Sequence, residues 1–125
     1  MNLIYVALGG AFGSVMRYLA QSLIGHVVGN AFPWGTLIVN ITGSLAMGVL
    51  IGWLVRTMPP NAPDLRLLLA VGVLGGYTTF SSFSLDAITL LQQQRWAAMA
   101  IYILLSVSAS LAGLIVGLHW MRTGA

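Results

Sequence analysis

Cysteine is absent from this chain of 125 residues. That excludes disulfides and thiolate metal sites, and leaves the redox compartment unread. Lysine and glutamate are absent as well. All side-chain charge outside the two histidines comes from five arginines and two aspartates, 6% of the residues, where a soluble domain carries roughly 25%. A chain so poor in charge lacks the polar surface that a water-soluble fold of this length needs. A proton-coupled transporter requires a titrating carboxylate within the membrane; with no Glu, and with Asp64 and Asp86 away from the centre of any apolar stretch, that class is disfavoured. His26 and His119 stand at the ends of apolar stretches, which argues against a metal site built from them. No Ser-His-Asp arrangement, phosphate-binding glycine loop or basic run is present, so neither an enzyme nor a nucleic-acid binder is expected. The net charge of +3 reflects scattered arginines.

What is present is hydrophobic: 58% of the residues, with a mean hydropathy of +0.94. A membrane-spanning helix needs ~20 consecutive apolar residues, and four stretches qualify: residues 3–24, 33–55, 65–91 and 96–121. Transmembrane strands are not expected, because no such stretch alternates polar and apolar residues. The expectation is an all-α integral membrane protein, a single four-helix transmembrane domain over residues 1–125. The first stretch lacks a basic leader and a small-residue cleavage site and is read as a span rather than a signal peptide. GHVVGN (25–30), RTMPPNAPD (56–64) and QQQR (92–95) are read as connections, with Asp64 capping the third helix. Trp34, Trp53, Trp96 and Trp120 lie near span ends, where interfacial aromatics belong. The arginine bias between the two sides is one or two residues, too small to fix orientation. Insertion in both orientations is compatible with it.

The third stretch carries GGYTTFSSFS (75–84) near its middle. Glycines are weak helix formers, and Thr side chains can redirect backbone hydrogen bonds. One reading is a helix break at mid-membrane, where irregular backbone is tolerated only against protein or a wet cavity. Its freed carbonyls would suit a small hard cation, and the start of the outgoing half, Phe80–Ser82, would favour an anion. The other reading is that Gly72, Gly75 and Gly76 permit close packing while the hydroxyls bond back to preceding carbonyls. Phe80 and Phe83 share a helix face; such rings ordinarily pack or meet lipid, but their edges are weakly positive and can face an anion. In the last stretch Tyr102, Ser106, Ser110, Gly113 and Gly117 form one stripe, with a GxxxG pair suited to helix association. Thr36, Asn40 and Ser44 recur every four residues in the second. Such hydroxyls and amides either bridge helices or line a track. Arg17, ~12 Å along its helix from the membrane edge, is read as facing a vestibule or a partner.

Four segments together, GGAFGSVMRY (9–18), WGTLIVNITGS (34–44), GGYTTFSSFS (75–84) and Tyr102–Ser110, make the chain resemble the Fluc (CrcB-type) fluoride channels over essentially its whole length. The resemblance implies a passive, fluoride-selective channel that rids the cytoplasm of toxic fluoride, resident in the cell inner membrane. It implies an antiparallel, dual-topology homodimer with a broken third helix and two fluoride pathways. It implies a central structural Na⁺ held by the backbone carbonyls of Gly75 and Thr78 of both subunits. Carried over residue by residue, Asn40, Thr79, Phe80, Ser81, Phe83, Tyr102, Ser106 and Ser110 match the pathway lining, and Arg17 matches a vestibule arginine. Two other classes fit the residues less well. A small multidrug-type four-helix transporter would need a buried acid in the first span, which has none. A structural subunit of a larger membrane complex would explain the GxxxG pair but leave the aligned hydroxyls without a purpose.

Overall fold

The computed structural model describes residues 2–123; Met1, Gly124 and Ala125 of the expected domain lie outside the described residues. Its order is α1 (Asn2–Val28), α2 (Trp34–Thr57), a composite segment from Ala62 to Gln92, and α6 (Trp96–Arg122). The composite segment consists of α3 (Ala62–Leu65), a π-helical stretch (Arg66–Leu74), α4 (Gly75–Tyr77) and α5 (Phe80–Gln92). Counting the composite as one, four helices are long and apolar enough to cross a membrane. The fold is all-helical among the described residues.

The helices run past the apolar stretches of the sequence. α1 continues through Gly25–Val28, and α2 through Arg56 and Thr57. Hydropathy marks the hydrocarbon depth, whereas backbone hydrogen bonding continues a turn into the polar interface. Asp64 does not cap the third segment as expected. The helix begins earlier, at Ala62, with Asn61 preceding it and Pro63 in its first turn. Proline there sacrifices an N–H that has no helical partner in any case. Asp64 lies within that first turn, where its charge meets the positive end of the helix dipole.

The helices pack as two pairs, α1 against Arg66–Leu74 and α2 against α6. Lipid supplies no hydrophobic force between helices, so association rests on close van der Waals contact. Small residues provide it. A Cβ on Gly72 would lie 2.9 Å from Gly9 Cα, and one on Gly117 would lie 2.7 Å from Val49 N. Both are backbone contacts that no side chain could share. The outer surfaces carry exposed Leu3, Leu8, Leu23, Val27, Leu104 and Ile115, the apolar exterior of a protein whose solvent is lipid.

A small core of Leu37, Ala87, Leu90 and Tyr102 lies where α2, α5 and α6 meet, with Phe32 and Phe83 packed on it. That end is closed by Arg95, whose guanidinium donates to the Ala31 carbonyl and so joins the two connections there. This core anchors α5 at the end away from its start. The start of α5 is held differently, by the polar contacts described next.

Candidate functional site

Between α4 and α5, Thr78 and Thr79 leave the helical conformation: their φ, ψ are −81°, 157° and −152°, 122°. Two groups hold this extended pair. Asn40, in the second turn of α2, accepts from Thr79 N–H through Oδ1 at 2.8 Å and donates from Nδ2 to the Thr79 carbonyl at 2.9 Å. The Asn40 amide thus satisfies both backbone groups of one residue. Thr79 Oγ1 in turn caps α5, accepting from Ser82 N–H at 3.2 Å, a typical Thr N-cap.

These bonds have a consequence for the carbonyls. In an unbroken helix Thr79 N–H would go to the Gly75 carbonyl, and Ser82 N–H to the Thr78 carbonyl. Asn40 and Thr79 Oγ1 take those two donors instead. The Gly75 and Thr78 oxygens therefore lose their helical partners. Among the described residues, no group of three or more His, Cys, Asp or Glu side chains could hold a metal. Carbonyl oxygens are the donor set suited to a small hard cation, and here two are spare.

Elements of both readings of GGYTTFSSFS coexist. Thr78 Oγ1 bonds back to the Leu74 carbonyl at 2.9 Å and Ser84 Oγ to Phe80 at 3.0 Å. Gly72 and Gly76 lie against Gly9 and Gly10 of α1, whereas Gly75 is exposed.

The extended pair opens onto a groove of about 390 Å³ bounded by α2, α5 and α6. The groove brings together six of the eight residues expected to line a pathway, Asn40, Thr79, Phe80, Phe83, Ser106 and Ser110, and adds Thr78 and Ser44. No charged side chain lines it. Ser106 Oγ is buried at the groove wall and has no hydrogen-bond partner, which leaves its O–H uncommitted. An Asn side chain has two amide hydrogens; Asn40 gives one to Thr79, leaving the second. The Phe80 and Phe83 rings are 5.5 Å apart at 46°.

Three of the singled-out residues lie elsewhere. Ser81 is exposed and bonded to Thr79 Oγ1 at 3.2 Å. Tyr102 is fully buried beside the groove, its ring 5.3 Å from Phe83 and its hydroxyl donating to Asp86 Oδ2 at 3.0 Å. Arg17 is half-buried on α1 and outside the groove lining. Sequence reading left Asp86 without a role; its bond to Tyr102 spans 16 positions and two helices, so no local pattern announces it. Met47, Leu111 and Leu114 complete the apolar wall and carry no signal that separates them from other membrane-facing residues.

The sequence profile of the family described as "CrcB-like protein, Camphor Resistance (CrcB)" matches residues 4–118. Among similar proteins is the fluoride-specific ion channel FluC of Rhodospirillum centenum, 51% identical over 118 residues, covering 94% of this chain and 93% of that one. Proteins of the same name from Chelativorans sp. and Rhizobium johnstonii are 48% and 49% identical. They cover 98% and 95% of this chain, and 97% and 94% of their own lengths. With a profile spanning nearly the whole chain and relatives at about half identity end to end, the protein belongs to the CrcB-like family.

Proposed function

We propose that this protein is a fluoride-specific ion channel that lets toxic fluoride leave the cytoplasm passively, as a multi-pass protein of the inner membrane. The observation that carries the reading is the groove. A wall of hydroxyl, amide and ring-edge groups with no fixed charge lies at mid-helix in a membrane protein, in a chain half identical to proteins named fluoride-specific channels.

Fluoride is small and holds its water tightly, so a path must replace that water with donors. The free Ser106 O–H, the second Asn40 N–H and the hydroxyls of Thr79 and Ser110 supply them on one side. The weakly positive edges of Phe80 and Phe83 face the ion on the other. A fixed arginine in the path would instead retain the anion and admit larger ones. Tyr102 and Ser81 support the path from beside the groove, Tyr102 by packing on Phe83 and Ser81 by bonding Thr79, and Arg17 stands in the vestibule, where it raises the local anion concentration.

The single transmembrane domain works as an antiparallel dual-topology homodimer. A two-fold axis in the membrane plane would bring two extended Thr78–Thr79 pairs together. Phe80 is 77% exposed in the isolated chain, a large ring left for a second subunit to cover. Each dimer then carries two fluoride pathways. The spare Gly75 and Thr78 carbonyls of both subunits would hold one Na⁺ between them, fixing the broken third helix; the ion's role is structural. Removing it should therefore stop transport: with Na⁺ replaced by N-methylglucamine on both sides, fluoride efflux is expected to vanish. Unchanged efflux in Na⁺-free medium would remove the cation from the account.

A multidrug-type transporter is disfavoured by α1, which contains no acidic residue. The physiological test is growth. Expression in a fluoride-sensitive bacterial strain should restore growth in mildly acidic medium containing fluoride, where HF enters cells and dissociates. Failure to restore growth despite membrane expression would count against export.

A further inference from the structure

Asn40 is not the only residue of α2 in contact with the break. Thr42 Oγ1 lies 2.8 Å from the Ile38 carbonyl, 3.1 Å from the Val39 carbonyl and 3.0 Å from Tyr77 Oη. A threonine hydroxyl has one proton. Two carbonyls, which can only accept, claim it. The proton between the two hydroxyls is then the phenolic one, and Tyr77 donates to Thr42. One turn on from Asn40 and next to Thr42 stands Gly43, buried and in the groove lining. A Cβ there would collide with Thr78 Cγ2 and lie 3.1 Å from Tyr77 Cδ2. Three positions of α2 thus meet three consecutive residues: Thr42 holds Tyr77, Gly43 seats Thr78, and Asn40 holds Thr79.

We propose that Gly43, together with the Thr42–Tyr77 hydrogen bond, forms with Asn40 a template on α2 that sets the extended backbone of Thr78–Thr79. Gly43 and Tyr77 are positioning residues; neither need touch the ion. Tyr77 enters its bond from the last residue of α4, so the phenol fixes where the incoming helix stops. Gly43 fixes how closely the extended pair approaches α2, and so whether the Asn40 bonds to Thr79 can form. The transport consequence rests on the channel reading above, whereas the structural consequence does not.

The test is a double-substitution cycle read in two ways, by hydrogen exchange at the Thr79 amide and by fluoride efflux from liposomes. Overpacking at a rigid contact is disruptive. Gly43→Ala should speed Thr79 exchange and slow efflux, each by about tenfold or more. Thr78→Ser deletes the methyl that the new Cβ meets but keeps the hydroxyl bonded to Leu74. In the Thr78→Ser background, adding Gly43→Ala should change either readout by no more than about twofold. Tyr77→Phe, which keeps the ring and loses the hydrogen bond, should raise Thr79 exchange by a few-fold. Two results would overturn the template: Gly43→Ala indistinguishable from the parent in Thr79 exchange, or a loss of the same size in both backgrounds. If the parent protein itself carried no fluoride, the channel reading would fall while the exchange arm still decided the template.

Discussion

Asn40→Ala is expected to abolish fluoride efflux, with a loss of at least about a hundredfold. The substitution deletes both bonds to Thr79, at 2.8 and 2.9 Å. Thr79 is buried, so its backbone groups are shielded and lose their partner with little to replace it. Each orphaned backbone group costs roughly 1–3 kcal/mol, so the extended pair should collapse back toward helix. Thr79 N–H would return to the Gly75 carbonyl, withdrawing an oxygen proposed for Na⁺. The same substitution also removes an N–H donor from the groove. Asn40→Asp keeps only one of the two bonds. An aspartate can accept from Thr79 N–H but, when ionised, cannot donate to its carbonyl, and it places a negative charge in an anion path. It should be as inactive as Asn40→Ala. Wild-type efflux in either variant would show that the extended pair is held by something other than Asn40.

Replacing the two phenylalanines should produce the second large loss. Phe80→Ile and Phe83→Ile keep apolar bulk and remove the ring quadrupole, so a role in packing alone predicts small changes. A role for the ring edges predicts losses of roughly two- to tenfold for each, since aromatic contacts contribute about 0.5–1.5 kcal/mol beyond burial. Phe83 also abuts Tyr102 at 5.3 Å, and Phe32 abuts the same tyrosine edge to face at 5.6 Å. Phe83→Ile should therefore loosen Tyr102 as well, while Phe80, paired only with Phe83 among the described rings, tests the ring edge more cleanly. Fluoride efflux from liposomes containing each variant is the measurement. Retention of full efflux by both would end the ring-edge account.

The four helices were legible from hydropathy because the membrane enforces them: a backbone in hydrocarbon must satisfy its own hydrogen bonds. The packing glycines were legible in part. Gly113 and Gly117 announce themselves by spacing within one helix, but the pairing of Gly9 with Gly72 joins two helices and has no local signature. GGYTTFSSFS declared weak helix formation without saying what conformation replaces it. That depends on an amide 39 positions away, and Asn40 alone in an apolar helix looks the same whether it bridges helices or clamps a backbone. The template residues were hidden for the same reason. Thr42 reads as one more hydroxyl, Gly43 as one more small residue and Tyr77 as one more aromatic; only their juxtaposition with Thr78 gives them distinct tasks. The π-helical stretch before Gly75, where the Gly75 N–H reaches the Ala70 carbonyl, had no counterpart in the sequence reading, since a run of Leu, Ala and Val fits an α-helix equally well.

The central claim is that this chain conducts fluoride selectively through the groove. The most direct measurement is ion efflux from liposomes holding the purified protein, loaded with potassium fluoride and a little Na⁺, with valinomycin to carry the counter-current and a fluoride electrode as the detector. A parallel preparation loaded with potassium chloride gives the comparison. Rapid fluoride loss that depends on valinomycin is expected, with negligible chloride loss. Comparable efflux of both ions, or no fluoride efflux from well-folded protein, would contradict it.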